Sequence, residues 1–86
     1  MKLLTSLSFW DRYEKLPAHI KTLADKNFDL LKKELFHPSL HLKKVGRFWS
    51  VRIGLNYRAV GVGIDDGVLW FWIGHHTAYE KMLKNN

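Results

Sequence analysis

Lys43, Lys44, Arg47, Arg52 and Arg58 fall within residues 35–64, a stretch without a single Asp or Glu that runs on toward the adjacent histidines His75 and His76. A surface built only from cations, with imidazoles close by, suits a polyanion, and RNA is the leading candidate. His41, Lys43, Lys44, Arg47 and His75 are the residues expected to bind it. Electrostatics alone leaves open whether such a surface only binds or also does chemistry. A metal site is disfavoured: adjacent strand residues such as His75 and His76 point apart, and no Cys or acid sits at ligand spacing. No metal and no cofactor is expected.

The stretch that carries these groups reads as consecutive strands. His41 to Val45, Phe48 to Ile53, Tyr57 to Ile64 and Val68 to Gly74 are β-rich runs, separated by Gly46-Arg47, Gly54-Leu55-Asn56 and Asp66-Gly67. Connections this short force neighbouring antiparallel strands, hence a meander, and Asp66-Gly67 has the form of a type I′ hairpin turn. Upstream the period is helical. Ser8-Phe9-Trp10-Asp11 has the form of a capping box opening a short helix that buries Phe9 or Trp10 with Tyr13 and Leu16. Pro17, which lacks an amide hydrogen, fits the first turn of a second helix. From there Ile20, Leu23, Ala24, Phe28, Leu31 and Leu35 form one apolar stripe, with Lys21, Asp25, Lys26, Asp29, Lys32 and Lys33 on the solvated side. Pro38 ends that helix. A brief helix over Thr77 to Lys84 and a frayed Asn85-Asn86 close the chain.

Turn lengths set which residues face each other across the sheet. A two-residue turn at Gly46-Arg47 pairs Lys43 with Ser50 and His41 with Arg52. A three-residue loop at 54–56 pairs Arg52 with Arg58, and a two-residue turn at Asp66-Gly67 sets Arg58 beside His75. One face then gathers His41, Lys43, Ser50, Arg52, Arg58 and His75, continuing into Val60, Val62, Ile64, Leu69, Phe71 and Ile73. The other takes Trp49, Val51, Ile53, Tyr57, Trp70 and Trp72, with Gly61 opposite Trp72 and Gly63 opposite Trp70 to make room for the indoles. A single bulge would move a strand's side chains to the other face. Both faces are apolar over much of their area. A helical hairpin covers only one, so the remainder calls for a partner chain or a homodimer.

At 86 residues with no Cys, the chain is expected to form one domain whose core works without disulfide or thiolate-metal staples. Its 47% hydrophobic and 14% aromatic content supplies that core, and the net charge of +6 favours nucleic acid or an acidic protein partner over a plain basic domain. The first residues loosely imitate a signal peptide, but the apolar run is short and Trp10-Asp11-Arg12 interrupts it. No window approaches the apolar length of a membrane span, so a cytoplasmic protein without membrane contact is expected.

Phe36-His37-Pro38-Ser39-Leu40 leads into a basic strand, and Trp49-Ser50-Val51-Arg52 and Tyr57-Arg58-Ala59-Val60-Gly61 follow. Trp70-Phe71-Trp72-Ile73-Gly74-His75-His76 and Tyr79-Glu80-Lys81 complete the series. In this order and spacing the chain resembles the RelE/ParE superfamily of bacterial toxins from type II toxin–antitoxin modules. The resemblance spans nearly the whole chain. It implies one α+β domain over residues 1–86: an N-terminal αα-hairpin packed on an antiparallel β-meander sheet, with a short C-terminal helix. Most relatives begin with a full edge strand; here only Leu3 to Leu7 could serve, so that strand is expected to be short or absent.

RelE-type relatives cut messenger RNA in the ribosomal decoding site without metal, by attack of a ribose 2′-hydroxyl on the adjacent phosphate. The resemblance gives Arg58, with Arg52, the stabilisation of charge on the phosphorane. It makes His76 the general acid or base, since imidazole titrates near neutral pH. Tyr79 would orient the 2′-hydroxyl or stack on a base. Each has a plainer alternative: Arg58 pinned by a carboxylate or by helix C-terminal carbonyls, His76 capping the last helix, His75 packed on its strand, Tyr79 in the core. Ser50 departs from the pattern, standing where several ribonuclease relatives carry another basic residue. The partners implied are a cognate antitoxin, the ribosome and mRNA. For a ParE-type member the target is instead DNA gyrase, with no nuclease site, and a non-toxic RNA-binding relative is the third possibility.

Overall fold

In the computed structural model, which describes residues 2–34 and 36–84, a five-stranded sheet lies between two helices on one face and a third on the other. The chain runs β1 (Lys2–Thr5), α1 (Leu7–Glu14), α2 (Ala18–Lys33), a 3-10 turn (Pro38–Leu40), β2 (Lys43–Val45), β3 (Phe48–Ile53), β4 (Tyr57–Ile64), β5 (Gly67–His75) and α3 (His76–Lys84). The spatial order is β1-β5-β4-β3-β2. The meander from β2 to β5 is antiparallel as expected, but β1 joins β5 in parallel, so the sheet is mixed. The edge strand is short rather than absent. Its position explains Gly67: a Cβ there would collide with the backbone of Lys2.

The helix boundaries differ from expectation at the caps. Ser6, not Ser8, caps α1, its hydroxyl accepting from the Phe9 amide at 3.2 Å; such a cap stabilises by about 1 kcal/mol. With the cap two residues earlier, Asp11 lies beyond the capping-box position. The Ser8 hydroxyl instead donates to the Phe71 carbonyl of β5 (2.9 Å), tying α1 to that strand. Pro17 stands at the N-cap of α2, one residue before the first turn. Ile20, Ala24 and Leu31 are buried as the stripe required, and Leu23 and Phe28 are packed beside them. Leu35 and the expected frayed Asn85-Asn86 lie outside the described residues.

Tyr13 links the two helices, donating its hydroxyl to Asp25 Oδ1 at 2.7 Å. This hydrogen bond, aided by partial desolvation and by the charges of Asp25 and Glu14, pushes the phenol up to about 12. An unfolded tyrosine loses its proton near pH ~10. The bond's contribution is therefore complete below that pH and lost as pH climbs toward about 12. The stability gap between the native chain and Tyr13→Phe should narrow across this window in denaturant titrations. A gap that stays constant would mean the bond adds nothing.

Within the sheet, β3 and β4 have the expected bounds and β2–β3–β4 the expected register, with Lys43 opposite Ser50 and Arg52 opposite Arg58. The β4–β5 hairpin does not. Its turn is Asp65-Asp66, with Asp66 in the left-handed region (φ 74°) and Ile64 opposite Gly67. Farther along, Gly61 faces Trp70 whereas Val60 faces Trp72, so Phe71 is an extra residue in β5. Such a bulge turns two successive side chains to one side. Phe71 and Trp72 accordingly both pack in the α3-side cluster with Val60, Tyr79 and Phe48. Trp70 stays on the α1/α2 side with Phe9, Val51, Ile53, Ala59 and Ile73. The expected placement of Trp72 with Trp70 is thereby corrected, and it is Gly61 and Trp70 that interlock: a Cβ on Gly61 would sit 2.9 Å from the indole.

The αα-hairpin covers the Trp49/Trp70 face, and α3 covers much of the other, leaving less bare sheet than expected. Leu4, Leu7, Trp10, Phe36, Leu55 and Ile64 remain as large exposed apolar groups. Among the described residues, no helix is long and apolar enough to cross a membrane.

Candidate functional site

The β3–β4 hairpin builds the centre of the site. Gly54, in the left-handed region (φ 65°), turns the chain through the 54–56 loop, and this loop sets Arg52 directly across from Arg58. Like charges opposite one another destabilise a sheet, so the pairing does nothing for the fold. No acid offsets it: among the described residues the ion pairs are Lys21–Glu14 and His76–Glu80. Arg58 Nη1 donates to the carbonyl of Tyr57 (2.9 Å) and, at the limit of contact, to that of Leu55 (3.5 Å). It is held by its own hairpin rather than by a carboxylate or a helix end. The buried Nε of Arg52 has no hydrogen-bond partner among the described residues. Its strand is clamped from the other face by Asn27, whose side-chain amide donates to the Arg52 carbonyl at 3.0 Å.

The end of β5 supplies the imidazoles. The His76 amide donates to the Asn56 carbonyl at 2.7 Å, which fastens the start of α3 to the loop that precedes Arg58. Its ring is partly open to solvent (39% exposed), with Nδ1 3.9 Å from Glu80 Oε1 one turn along. The capping role considered for His76 belongs to His75, whose Nδ1 accepts from the Thr77 amide at 3.2 Å. Because the turn moves back and the bulge restores only one of the two places lost, His75 lies opposite Tyr57 and not beside Arg58, which faces Gly74. Its ring meets that of Tyr57 edge-on at 5.4 Å and stacks obliquely on that of His76 at 4.5 Å.

The other expected residues are spread more widely. Tyr79, the buried residue of α3, is 6% exposed, its hydroxyl donating to Ser50 Oγ at 3.3 Å, with Ser50 itself 2% exposed. That is the core position weighed as its alternative. Lys43 shares the Ser50 face on the edge strand. Lys44 belongs to the opposite face, its ammonium 5.6 Å from the Trp49 ring, and Arg47 sits in the β2–β3 turn over Phe48 at 5.2 Å. His41 is no strand residue and does not pair with Arg52: it takes a left-handed conformation (φ 47°) after the 3-10 turn, and pairing begins at Lys43. The structure thus gathers Arg52, Arg58 and His76 at one end of the sheet, with His75 adjoining, and disperses His41, Lys44 and Arg47. At this same end lie Arg12, over the Trp72 ring at 5.6 Å, and Lys15. Neither was singled out from sequence, where only their one-turn spacing on a short helix marked them. Among the described residues, no group of three or more His, Cys, Asp or Glu side chains converges as a metal site.

No family model and no curated protein matches the sequence. Solved structures do match the fold. A chain of the RelB–RelE antitoxin–toxin complex from Methanococcus jannaschii superposes with a TM-score of 0.74 at 17% identity, covering 92% of this chain and 96% of that one. The YoeB/ParE toxin from Agrobacterium tumefaciens gives 0.68 at 24% identity, over 88% of this chain and 99% of that one. YafQ from Escherichia coli gives 0.69 at 13% identity, over 91% and 96%. At these identities the likeness establishes a shared fold over nearly the full length of each chain.

Proposed function

We propose that this chain, which has the fold of the RelE, YoeB and YafQ toxins, is the toxin of a type II toxin–antitoxin module. In our reading it is a metal-independent, ribosome-dependent mRNA endoribonuclease. The observation that carries this reading is the Arg52–Arg58 pair: two guanidinium groups on facing strand positions, with no acid partner among the described residues, beside an imidazole tied to the same hairpin. A phosphate passing into five bonds spreads negative charge over its oxygens, and preorganised cationic donors stabilise that state. Arg58 would contact the phosphorane directly. Arg52, with its unpaired Nε, would add the second charge. His76 would exchange a proton with the 2′-hydroxyl or the leaving 5′-oxygen, and the facing Glu80 would orient its ring. Tyr79 and Ser50 would support this face from below, and Lys43 and His75 would meet the flanking RNA.

The antitoxin of such a module would cover the exposed apolar groups and neutralise the arginine pair. That assignment is supported by the RelB–RelE complexes among the matching structures. A cytoplasmic site of action goes with it.

A specific observation favours the runner-up, a gyrase inhibitor of the ParE type. Ser50, where several nuclease relatives carry a further cation, is buried against Tyr79, so this position adds no charge to the Arg52–Arg58 pair. Induced expression in a bacterium separates the readings. Arg58→Ala and His76→Ala should each relieve growth arrest while the purified variants remain folded. Arrest that persists in both, accompanied by DNA damage, would overturn the nuclease reading in favour of gyrase; folded protein that causes no arrest would point to a non-toxic relative.

A further inference from the structure

Beyond the end of β1, the edge of β5 borders a cleft of about 260 Å³ between the end of α1, the α1–α2 turn and the first turn of α3. Arg12, Lys15, Tyr57, Trp72 and His75 line it, and no described carboxylate does. Glu14, the acid nearest in sequence to Lys15, is paired with Lys21 at 3.5 Å. The guanidinium of Arg12 covers the Trp72 ring, whereas Tyr57 and His75 present two rings in edge-on contact, their centroids 5.4 Å apart. The volume falls below the range of about 300–1,000 Å³ that encloses a drug-sized ligand. It suits one flat ring laid in the cleft, with an attached phosphate outside.

We propose that this cleft is a second RNA subsite, in which Tyr57 and His75 hold an unstacked base and Arg12 and Lys15 hold its phosphate. Aromatic faces and cations in one groove are the combination that binds single strands without regard to sequence. The location argues for the same ligand as the arginine pair. Tyr57 and Arg58 are successive on β4 and so point to opposite faces. Both lie at the end of the sheet in adjacent pairs, Tyr57 with His75 and Arg58 with Gly74, so a strand leaving Arg58 reaches the cleft by wrapping over that end. A cation at a helix C-terminus is also favourable on its own account, which explains Lys15 as the α1 cap but not its convergence with Arg12 and two rings.

The inference rests on the reading of this chain as an RNA-binding toxin, and its test separates the two. The purified chain is titrated with a short single-stranded RNA carrying 2′-O-methyl groups, which block cleavage, over a range of salt concentrations. Each phosphate neutralised contributes about 0.7 to the slope of log affinity against log salt, so Arg12→Gln/Lys15→Gln, which frees one phosphate, should lower that slope by about 0.7. Lys32→Gln/Lys33→Gln, which removes the same charge at the far end of α2, should leave it nearly unchanged. Both pairs are exposed, and circular dichroism checks that the variants fold. If the cleft pair behaves like the native chain, or no differently from the α2 pair, while Arg58→Ala still weakens binding, the subsite is wrong and the RNA reading stands. Absence of RNA affinity in the native chain overturns both.

Discussion

Arg58→Ala should lower the rate of mRNA cleavage by about 10²–10³-fold, the usual cost of removing one preorganised charge-stabilising donor, with little change in stability. The second half follows from what the side chain touches. Its hydrogen bonds go to carbonyls of its own hairpin, no carboxylate among the described residues pairs with it, and it faces Arg52. Truncation loses those local bonds but also removes a like-charge neighbour, so the net effect on unfolding should stay within about ±0.5 kcal/mol, as for ordinary surface changes. Arg58→Lys should recover only part of the rate, since an ammonium keeps the charge but not the planar fork that engages two phosphate oxygens. Single-turnover cleavage and urea unfolding of the same preparations give both numbers. A rate that falls only in step with stability would make Arg58 a structural residue.

Trp70→Ala should have the largest effect on the fold. The indole is fully buried (0% exposed), meets Phe28 edge-on at 6.2 Å, and fills the space that Gly61 leaves on β4. Truncating a buried Trp to Ala costs about 3–5 kcal/mol. Small domains have only about 5–15 kcal/mol in total, so the variant should lose much of its stability and unfold at a far lower urea concentration. Trp70→Phe should cost considerably less. It leaves a smaller void and also removes an indole N–H that is buried here without a partner. An alanine variant within about 1 kcal/mol of the native chain would mean that the site collapses readily, contrary to the tight Gly61–Trp70 contact.

These two residues mark how far the sequence could be read. The Arg52–Arg58 pairing was legible because Gly54 and the three-residue loop leave one way to close the hairpin, and Gly46 does the same for Lys43 and Ser50. The β4–β5 register was not. Asp66-Gly67 has the form of a hairpin turn, but Gly67 is needed in β5 where Lys2 of β1 lies against it, and the turn moves back to Asp65-Asp66. That shift carries His75 two places from Arg58, and the bulge at Phe71 brings it back by one while reversing the expected faces of Trp72 and His75. Alternating patterns specify a face only while pairing is regular, and Trp70-Phe71-Trp72 is apolar throughout, so nothing in it announced the extra residue. The capping serines were legible in kind but not in place: Ser6 and Ser8 both sit near the helix start, and the choice depends on a tertiary bond from Ser8 to the bulge. Arg12 and Lys15 escaped notice for the same reason, since only the packing of α1 on β5 brings them to the end of the sheet.

If Arg58 and its neighbours cut message on the ribosome, the cut can be seen by adding the purified chain to programmed ribosomes with an open decoding site and mapping the 5′ ends of the message. A cut within the decoding-site codon, lost in Arg58→Ala, is the result expected. An intact message in the presence of folded protein would contradict it and turn attention to gyrase.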